Sequence, residues 1–326
     1  MFKISLILTF LGPNISFFIL LCTDVSLHTT LYCCLSSYYS LLLSLYILLS
    51  TVVSLHTTLY CCLSTYYSLL LHEPMYLFLC SLFVNELYGS TGLFPFLLVQ
   101  ILSDIHTVSA PFCFLQIFCL YTYGGVESWT LVIMSYDRYL AICYPLQYHV
   151  HMTSSKVVVL IAVTWSLPFF SVFVTTLLSA SLQLCGNIIN KVYCDNYSIV
   201  KLACYDTRVN NLYELVAVSI TVGVPLTVIF YTYIKILKVC FSGSKQTRQK
   251  AVSTCTPHLA SLINFFLGVS FEILQTRFDM SSVPNMLRIL LSLYFLTCQP
   301  IFNPVMYVSC DNVMNIVLER TFLVIT

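Results

Sequence analysis

The sequence predicts an all-α protein whose helices cross a membrane seven times. The first observation is composition: of 326 residues, 8% are charged and 59% are apolar, with a net charge of +1. A soluble domain normally carries about a quarter charged residues, because its surface faces water. The second observation is a series of apolar stretches, each near the roughly 20 residues that one crossing needs. Together they exclude a soluble enzyme, a disordered protein and a nucleic-acid-binding protein, which would need a basic face.

Six of the seven helices are predicted after Pro74. Their approximate limits, in chain order, are 75–101, 110–136, 157–180, 209–239, 256–276 and 287–309. Several contain proline, for example Pro168 and Pro225. A membrane helix tolerates proline because neighbouring helices can bond the carbonyl that it frees. We therefore interpret these prolines as kinks and not as helix ends.

The first helix is predicted within a repeat-containing segment, residues 26–71. The sequence SLHTTLYCCLSSYYSLLL at 26–43 recurs at 54–71 with a single substitution. Two near-identical copies indicate a local duplication or low-complexity sequence, because a solenoid needs about three copies. A genuine first helix within 38–71 and a degraded or mispredicted first exon both stay open.

The charge distribution predicts the topology. The segment 235–250, after the fifth helix, carries five basic residues and no acidic one. The positive-inside rule places such a segment in the cytoplasm. Seven crossings then make residues 26–310 one helical domain, with the N-terminal segment 1–25 outside (or signal-like) and a short tail, 311–326, in the cytoplasm. A glycosylation sequon begins at Asn14 in the outer segment.

The two ends of the predicted third helix differ in chemistry. Cys113 lies at its start and an Asp-Arg-Tyr triplet, 137–139, at its end. The separation is roughly 37 Å at 1.5 Å per residue, which matches a bilayer with its interfaces. Further cysteines on the same side as Cys113 are Cys185, Cys194 and Cys204. Exterior cysteines usually oxidise, so we expect disulfides there, and four cysteines allow three pairings.

Two acidic residues, Glu86 and Glu127, lie inside apolar helices. An ionisable group at membrane depth is expensive and is by default functional. Neither has a basic partner in its own helix, so each must be protonated, hydrogen-bonded or balanced by a cation. Glu214 and Glu272 lie nearer helix ends, and we expect their carboxylates to reach the membrane interface.

Five motifs resemble the signatures of odorant receptors, a branch of the rhodopsin-like (class A) G-protein-coupled receptors. They are LHEPMYLFLCSL (71–82), MSYDRYLAICYPLQYHVHMT (134–153), CDNYSIVKLAC (194–204), KAVSTCTPHL (250–259) and NPVMY (303–307). Their order and their positions on the predicted helices make a chance match negligible. The similarity covers about 74–310, and the run LCSLFVNELYGS resembles fish-type receptors more than mammalian ones.

The resemblance implies how cysteines pair and which residues couple to a G protein. Cys113 would join Cys194, and Cys185 would join Cys204, which would fix a lid over a ligand pocket. The implied coupling residues are Asp137, Arg138, Tyr139, His258, Asn303, Pro304 and Tyr307. Arg138 would pair with Asp137 at rest and would receive a G-protein terminus when the sixth helix moves outward.

The resemblance also implies a ligand pocket and an ion site. It directs Glu86 and Glu127 inward, near Asn303, where three oxygen-bearing side chains would suit a sodium ion. The alternative is two protonated carboxyls that bond to neighbours. The pocket would lie on the outer side of Glu127. Its expected lining residues are Leu120, Tyr121, Tyr123, Gly124, Phe266 and Ser270. No cofactor other than sodium is expected.

These features predict an odorant-sensing receptor of the plasma membrane and not an enzyme. An odorant would shift the helix bundle to a state that activates a stimulatory-type G protein. The partners would be the odorant, the G protein and membrane lipid, without nucleic acid. A transporter would instead show inverted repeats. A nonfunctional or mispredicted receptor-derived product stays open, because 26–71 lacks the Gly and Asn that the family places in its first helix.

Overall fold

The computed structural model describes the chain from Pro74 to Tyr307, with gaps. The described residues are 74–102, 107–189, 191, 193–242, 245–278, 283, 287–288, 291–292, 294, 298–300, 302–303 and 306–307. Five predictions lie outside them: the N-terminal segment 1–25, the first-helix region 26–71, the sequon at Asn14, the role of Pro304 and the tail 311–326.

The described chain is helical, as the sequence predicts. In order, the elements are α1 (Pro74–Leu102), α2 (Ala110–Cys143), a 3₁₀ turn (Pro145–Gln147), α3 (Tyr148–His151), α4 (Ser154–Ala180), α5 (Asn196–Lys201), α6 (Arg208–Val218), a π-helical turn (Ser219–Gly223), α7 (Val224–Ser242) and α8 (Lys245–Arg277). No strand occurs among the described residues, where one isolated bridge joins Leu184 to Ala203.

Five predicted crossings correspond to α1, α2, α4, the continuous α6–α7 pair and α8. Within the described residues, four stretches are long and apolar enough to cross a membrane: 110–143, 154–180, 208–242 and 255–275. The predicted limits agree within three residues except at the end of α2, which continues from the predicted 136 to Cys143, and at the start of α8, which is Lys245. Its first turns are polar, KQTRQK, so hydropathy alone placed its start too late. The described residues from 287 to 307 are helical and belong to what we call the last helix, whereas Val283, before them, lies in a bend.

Helix α2 is the central helix of the described bundle. It packs against α1, α4 and α7, and its buried residues extend from Cys113 to Leu140. In contrast, α4 and α7 expose large apolar side chains, such as Phe170 and Phe230. That pattern suits helices that contact lipid on one side and α2 on the other. Many side chains of α2 between Cys113 and Leu140 are therefore enclosed by protein.

Two prolines show how the bundle accommodates a missing backbone donor. Pro168 lies inside α4 and packs on Gly125 of α2, where an added Cβ would come within 2.7 Å of the proline Cβ. Pro225 follows the π-helical turn and cannot donate to the carbonyl of Thr221, four residues earlier. Ser128 of α2 donates its hydroxyl to that carbonyl instead, at 2.7 Å. A neighbouring helix thus satisfies the freed carbonyl.

Buried clusters distinguish the two ends of the bundle. At one end, Ile117 and Ile199 pack around Cys113 and Cys194. At the other end, Cys240 and Cys255 pack with Ile236 and, less deeply, Tyr139. We call the first the disulfide end and the second, which contains 137–139, the triplet end. The sites below are located relative to these ends.

Candidate functional site

Glu86 of α1 and Glu127 of α2 meet in the middle of the bundle, 1% and 0% exposed. Asn303 joins them, because its Nδ2 donates to Glu86 Oε1 at 2.6 Å and to Glu127 Oε1 at 2.8 Å. Tyr123 donates its hydroxyl to Glu86 Oε2 at 2.9 Å. Asn85 donates to Glu127 Oε2 at 3.0 Å. We call these five residues the carboxylate cluster; among the described side chains, no lysine or arginine forms an ion pair with either carboxylate.

Asn303 faces the carboxylates with its nitrogen and not with its oxygen. Its Oδ1 accepts a hydrogen bond from Ser261 of α8 at 2.6 Å. A cation held by Glu86 and Glu127 would gain the Asn303 oxygen only if the amide turned over. Asn85 Oδ1, which is buried and has no hydrogen-bond partner, is a further oxygen at the cluster. Within the described residues, no three His, Cys, Asp or Glu side chains are grouped as a metal site would require.

The predicted switch residues of α2 lie at the triplet end. One guanidinium nitrogen of Arg138 is 3.8 Å from Asp137 Oδ2, and Arg138 Nε is buried without a hydrogen bond. Asp137 Oδ1 accepts a 2.6 Å hydrogen bond from Tyr148 of α3. The hydroxyl of Tyr139 is 3.4 Å from that of Tyr144. Arg138 thus has one distant ionic partner, an arrangement from which it can exchange partners.

Towards the triplet end, hydrogen bonds of His258 and Ser261 attach α8 to its neighbours. His258 Nδ1 is 2.6 Å from the hydroxyl of Tyr233 on α7, and Ser261 bonds Asn303 as described above. His258 is fully buried, and Tyr307 is buried in the same half of the bundle. Between described side chains, neither an ion pair nor a disulfide joins this half of α8 to its neighbours.

Two disulfides are formed at the disulfide end. Cys113 is bonded to Cys194, and Cys185 to Cys204. These are the pairings that the family resemblance implies. The first bond attaches the start of α2 to residues 191 and 193–201, which we call the lid. Gln116 of α2 reinforces this attachment, because its Oε1 accepts from the backbone nitrogen of Cys194 at 2.9 Å.

Asn196 connects the lid to three helices. Its backbone nitrogen donates to the hydroxyl of Tyr121 on α2 at 3.1 Å. Its Oδ1 accepts from Ser179 of α4 at 2.5 Å, and its Nδ2 donates to Glu214 of α6 at 3.1 Å. Asn196 is buried, so each bond is formed away from water, where an unmade bond is costly.

The lid is also joined to α8 by charge. Lys191 Nζ lies 3.5 Å from Glu272 of α8 and 3.6 Å from Asp195 of the lid. Tyr193 donates its hydroxyl to the same Glu272 carboxylate. Burial, and next the negative charge of Glu272, raise the pKa of Tyr193 well above its usual value. The phenol therefore stays protonated and keeps its role as donor.

Glu214 and Glu272 both have cationic partners at the disulfide end, and their reach to the membrane interface stays a prediction. Glu272 is paired with Lys191, and Glu214 is 3.5 Å from Arg277 near the end of α8. The guanidinium of Arg277 also lies over the ring of Tyr197, 4.6 Å from its centroid. Tertiary folding supplies these partners, which the hydropathy of single helices does not show. The sequence signal for these ion pairs was the presence of basic residues in the loop before α6 and at the end of α8.

The six residues predicted to line a ligand pocket have three kinds of environment. Tyr121 and Tyr123 are hydrogen-bonded to Asn196 and Glu86; Leu120 is buried and Gly124 and Phe266 are half-buried; Ser270 is exposed. The two tyrosines thus have structural partners in the lid and in the carboxylate cluster. A ligand-lining role for the six stays a prediction.

Comparison with known proteins identifies the family. The sequence model of the olfactory receptor family matches residues 42–323. The chain belongs to the olfactory receptor family. Mouse olfactory receptor 1E16 is 35% identical over 255 residues, covering 77% of this chain and 80% of its own. Rat olfactory receptor 1 is 34% identical over 254 residues, with coverages of 77% and 80%. Human olfactory receptor 10A6 is 35% identical over 239 residues, with coverages of 73% and 75%.

Membership establishes the class of protein. Olfactory receptors are multi-pass G-protein-coupled receptors that sense odorants, so this olfactory receptor is a membrane receptor and not an enzyme. The seven-helix architecture predicted from the sequence follows from the family, together with the helical structure. The fish-type resemblance stays a prediction.

Proposed function

We propose that this olfactory receptor binds a small-molecule odorant from outside the plasma membrane and activates a stimulatory-type G protein in the cytoplasm. The proposed orientation places the N-terminus and the disulfide end outside, and the triplet end and the C-terminus inside. Disulfides persist in an oxidising exterior. The basic segment 235–250, which lies towards the triplet end, favours the cytoplasm. Chemistry at both ends therefore supports the same orientation.

The observation that carries the proposal is the unequal attachment of α8. At the disulfide end, α8 is joined to the lid and α6 by the ion pairs Lys191–Glu272 and Glu214–Arg277. Towards the triplet end it is joined by the Tyr233–His258 and Ser261–Asn303 hydrogen bonds. An outward movement of its triplet-end half would break these hydrogen bonds and separate Cys255 from Ile236 and Cys240, while both ion pairs stay in place.

That movement would open the space beside Arg138. Arg138 would then leave Asp137, 3.8 Å away, and bind the carboxyl-terminal segment of the G protein. The basic residues of 235–250 would contact the G protein or lipid headgroups. The odorant would favour this state only by binding it more tightly than the resting state.

The test compares Arg138→Ala with the native receptor in cells that report cyclic AMP. Each variant is quantified at the surface, and an equimolar mixture of eight-carbon alcohol, aldehyde and amide is the stimulus. Arg208→Ala is the matched control, because Arg208 forms an exposed pair with Asp206. We expect Arg138→Ala alone to lose both basal and stimulated cyclic AMP. Equal signals at equal surface levels would remove the switch role, and a native chain absent from the surface would favour the nonfunctional alternative.

We also propose that the carboxylate cluster binds a sodium ion. Its support is two buried carboxylates, Glu86 and Glu127, with hydrogen-bond donors but no ionic partner among the described residues. Carboxylate and amide oxygens suit hard cations, so the carboxylates fit the ion as they stand. Asn303 fits it only after its amide turns over. A bound sodium ion would balance one of the two carboxylate charges and leave a net charge of −1 on the ionised pair.

The sodium proposal is tested by thermal unfolding of the purified receptor in sodium chloride and in choline chloride at equal ionic strength. We expect sodium to raise the unfolding temperature of the native receptor and not that of Glu127→Gln, which lacks one anionic ligand. Equal unfolding temperatures of the native receptor in the two salts would show that the cluster is a hydrogen-bonded carboxyl pair without an ion.

A further inference from the structure

A second level of buried polar residues lies one helical turn from the carboxylate cluster, towards the disulfide end. Ser90 lies four residues after Glu86 on α1, and Asn264 lies three residues after Ser261 on α8. Gln299 lies four residues before Asn303. Spacings of three or four residues keep a helix face and advance roughly 5 to 6 Å along the axis. We call Ser90, Asn264 and Gln299 the amide layer.

Contacts between helices establish the direction of this step. On α1, Gly89 approaches the ring of Tyr123 and Gly92 approaches Cys119, so α1 runs towards Cys113. On α8, Glu272 and Arg277 lie beyond Asn264 at the disulfide end. Ser292 bonds Gln275 of α8, whereas Asn303 bonds Ser261. Lower numbers in the last helix are therefore also nearer the disulfide end.

The amide layer contains buried polar atoms that lack hydrogen bonds. Gln299 is 1% exposed, and neither its nitrogen nor its oxygen has a partner. Asn264 and Ser90 are also buried, and Asn264 Nδ2 and Ser90 Oγ have no partner. Asn264 Oδ1 is occupied, because it accepts from the hydroxyl of Tyr294 and from Cys298 Sγ. The unpaired atoms belong to α1, α8 and the last helix.

The contrast with the carboxylate cluster makes the layer informative. One turn away, Asn303 uses both its nitrogen and its oxygen, and both carboxylates are bonded. Buried polar groups are normally paired, and an unpaired one costs stability. Such costs persist where function requires them. A side chain that is fully buried and fully unpaired, such as Gln299, therefore indicates a missing polar partner.

We propose that the amide layer binds the head group of the odorant, and that the head group is uncharged and both donates and accepts hydrogen bonds, as in an aliphatic alcohol or a primary amide. This inference rests on the proposed function, because it presumes an odorant site in the bundle. Leu120 and Phe266, which lie next towards the disulfide end, would contact the apolar body of the odorant.

The unpaired atoms define this chemical class. Gln299 and Asn264 offer N–H donors, which need an acceptor on the ligand, and Gln299 Oε1 needs a donor. An aldehyde leaves Gln299 Oε1 unpaired, and a hydrocarbon leaves every atom unpaired. A carboxylate would be repelled by the negative charge of the cluster one turn away. An ammonium has no acceptor for the amide N–H groups.

The first test needs no ligand and measures thermal unfolding of the purified receptor. Methionine matches glutamine in length but has no amide, so Gln299→Met is expected to raise the unfolding temperature by removing an unpaired group. Gln116→Met is the matched control, because that buried glutamine accepts from Cys194, and its loss is expected to lower the temperature. A lower unfolding temperature for Gln299→Met would show that its amide has a structural partner and would overturn the proposal.

The second test measures binding as a shift of the unfolding temperature by octane, octanal, 1-octanol, octanamide, octanoate and octylammonium. We expect 1-octanol and octanamide to bind most tightly, and Gln299→Met to weaken them about tenfold, as one net hydrogen bond implies. No shift with any compound, equal binding whatever the head group, or unchanged binding by Gln299→Met would each overturn the proposal. The assay contains no G protein, so a failure of Arg138 coupling does not affect its result.

Discussion

The two ends of this olfactory receptor are held together by different chemistry. At the disulfide end, the lid is joined to α2 by a covalent bond, to α4 and α6 through Asn196, and to α8 through Lys191. At the triplet end, the polar contacts include single hydrogen bonds and the 3.8 Å ion pair Arg138–Asp137, beside apolar packing around Cys240 and Cys255.

For the proposed activation, this difference favours a movement at the triplet end. A covalent bond and buried ion pairs hold the disulfide end, so the triplet end, held by hydrogen bonds and apolar packing, is the easier one to open. Strong bonds at the disulfide end would fix the position of α8 relative to the odorant. In the proposed mechanism, the hydrogen bonds at the triplet end would break in the active arrangement, and the odorant would bias the equilibrium between the two arrangements.

Removing the covalent link should have the largest effect on the comparison. We expect Cys113→Ser to lower the free energy of unfolding by about 4 kcal/mol, because the bond closes a loop between residues that are 81 apart in sequence. Surface level and thermal unfolding measure this loss. Cys143→Ser, at a half-buried cysteine outside any disulfide, is the control, and equal losses in the two variants would contradict a special role for the lid.

Removing the lid's cation should be the next largest effect. Lys191→Met would leave Asp195 and Glu272 buried without their cation, which typically costs about 3 kcal/mol. Thermal unfolding is the measurement. Lys201→Met removes an exposed lid lysine that stacks on Tyr197 and should change stability far less. A neutral result for Lys191→Met would mean that the disulfide and the Asn196 hydrogen bonds hold the lid without help from the ion pairs.

Weakening the triplet end should change signalling more than stability. Tyr233→Phe removes the hydrogen bond to His258 and should cost about 1 kcal/mol. Because that bond joins α7 to α8, we expect basal cyclic AMP to rise. Tyr213→Phe removes a comparable bond, to the Ser171 carbonyl between α6 and α4. If both variants raise basal cyclic AMP equally, the triplet end is not the special location of the switch.

The smallest effect is expected for the ion pair between α6 and α8. Arg277 retains 33% exposure of its side chain, so solvent screens its attraction to Glu214. A double-mutant cycle with Glu214→Gln and Arg277→Gln should give a coupling of about 0.5 kcal/mol, measured by thermal unfolding. A coupling above about 2 kcal/mol would instead make this pair, and not Lys191–Glu272, the principal link between α8 and the rest of the disulfide end.

The sequence predicted those features that one helix or one motif encodes. The length of the apolar stretches located the helices. The sequence also predicted that the fifth crossing tolerates Pro225, and the hydrogen bond from Ser128 to the Thr221 carbonyl agrees with that prediction. The position of Glu86 and Glu127 at membrane depth predicted that each needs a partner. The family motifs supplied the cysteine pairing, which spacing alone left at three alternatives.

The sequence did not predict contacts that depend on how separate segments meet. The lid is polar and short, so nothing in its local pattern shows that Asn196 is buried between three helices. Lys191 and Glu272 are 81 positions apart, and their pairing follows from the fold of the lid over α8. The polar start of α8 was missed for a related reason: it is helical but not apolar, and hydropathy detects only the apolar part.

Distances between labels at the two ends test the central claim most directly. Non-canonical amino acids would carry the spin labels, since the chain has 16 cysteines. One pair joins exposed Val150 and Val252 at the triplet end, and the other joins exposed Ile188 and Phe278 at the disulfide end. When the nucleotide-free stimulatory G protein binds, the first distance should lengthen by several ångströms while the second stays constant. A second distance that changes as much as the first, or a first distance that stays constant, would contradict the account.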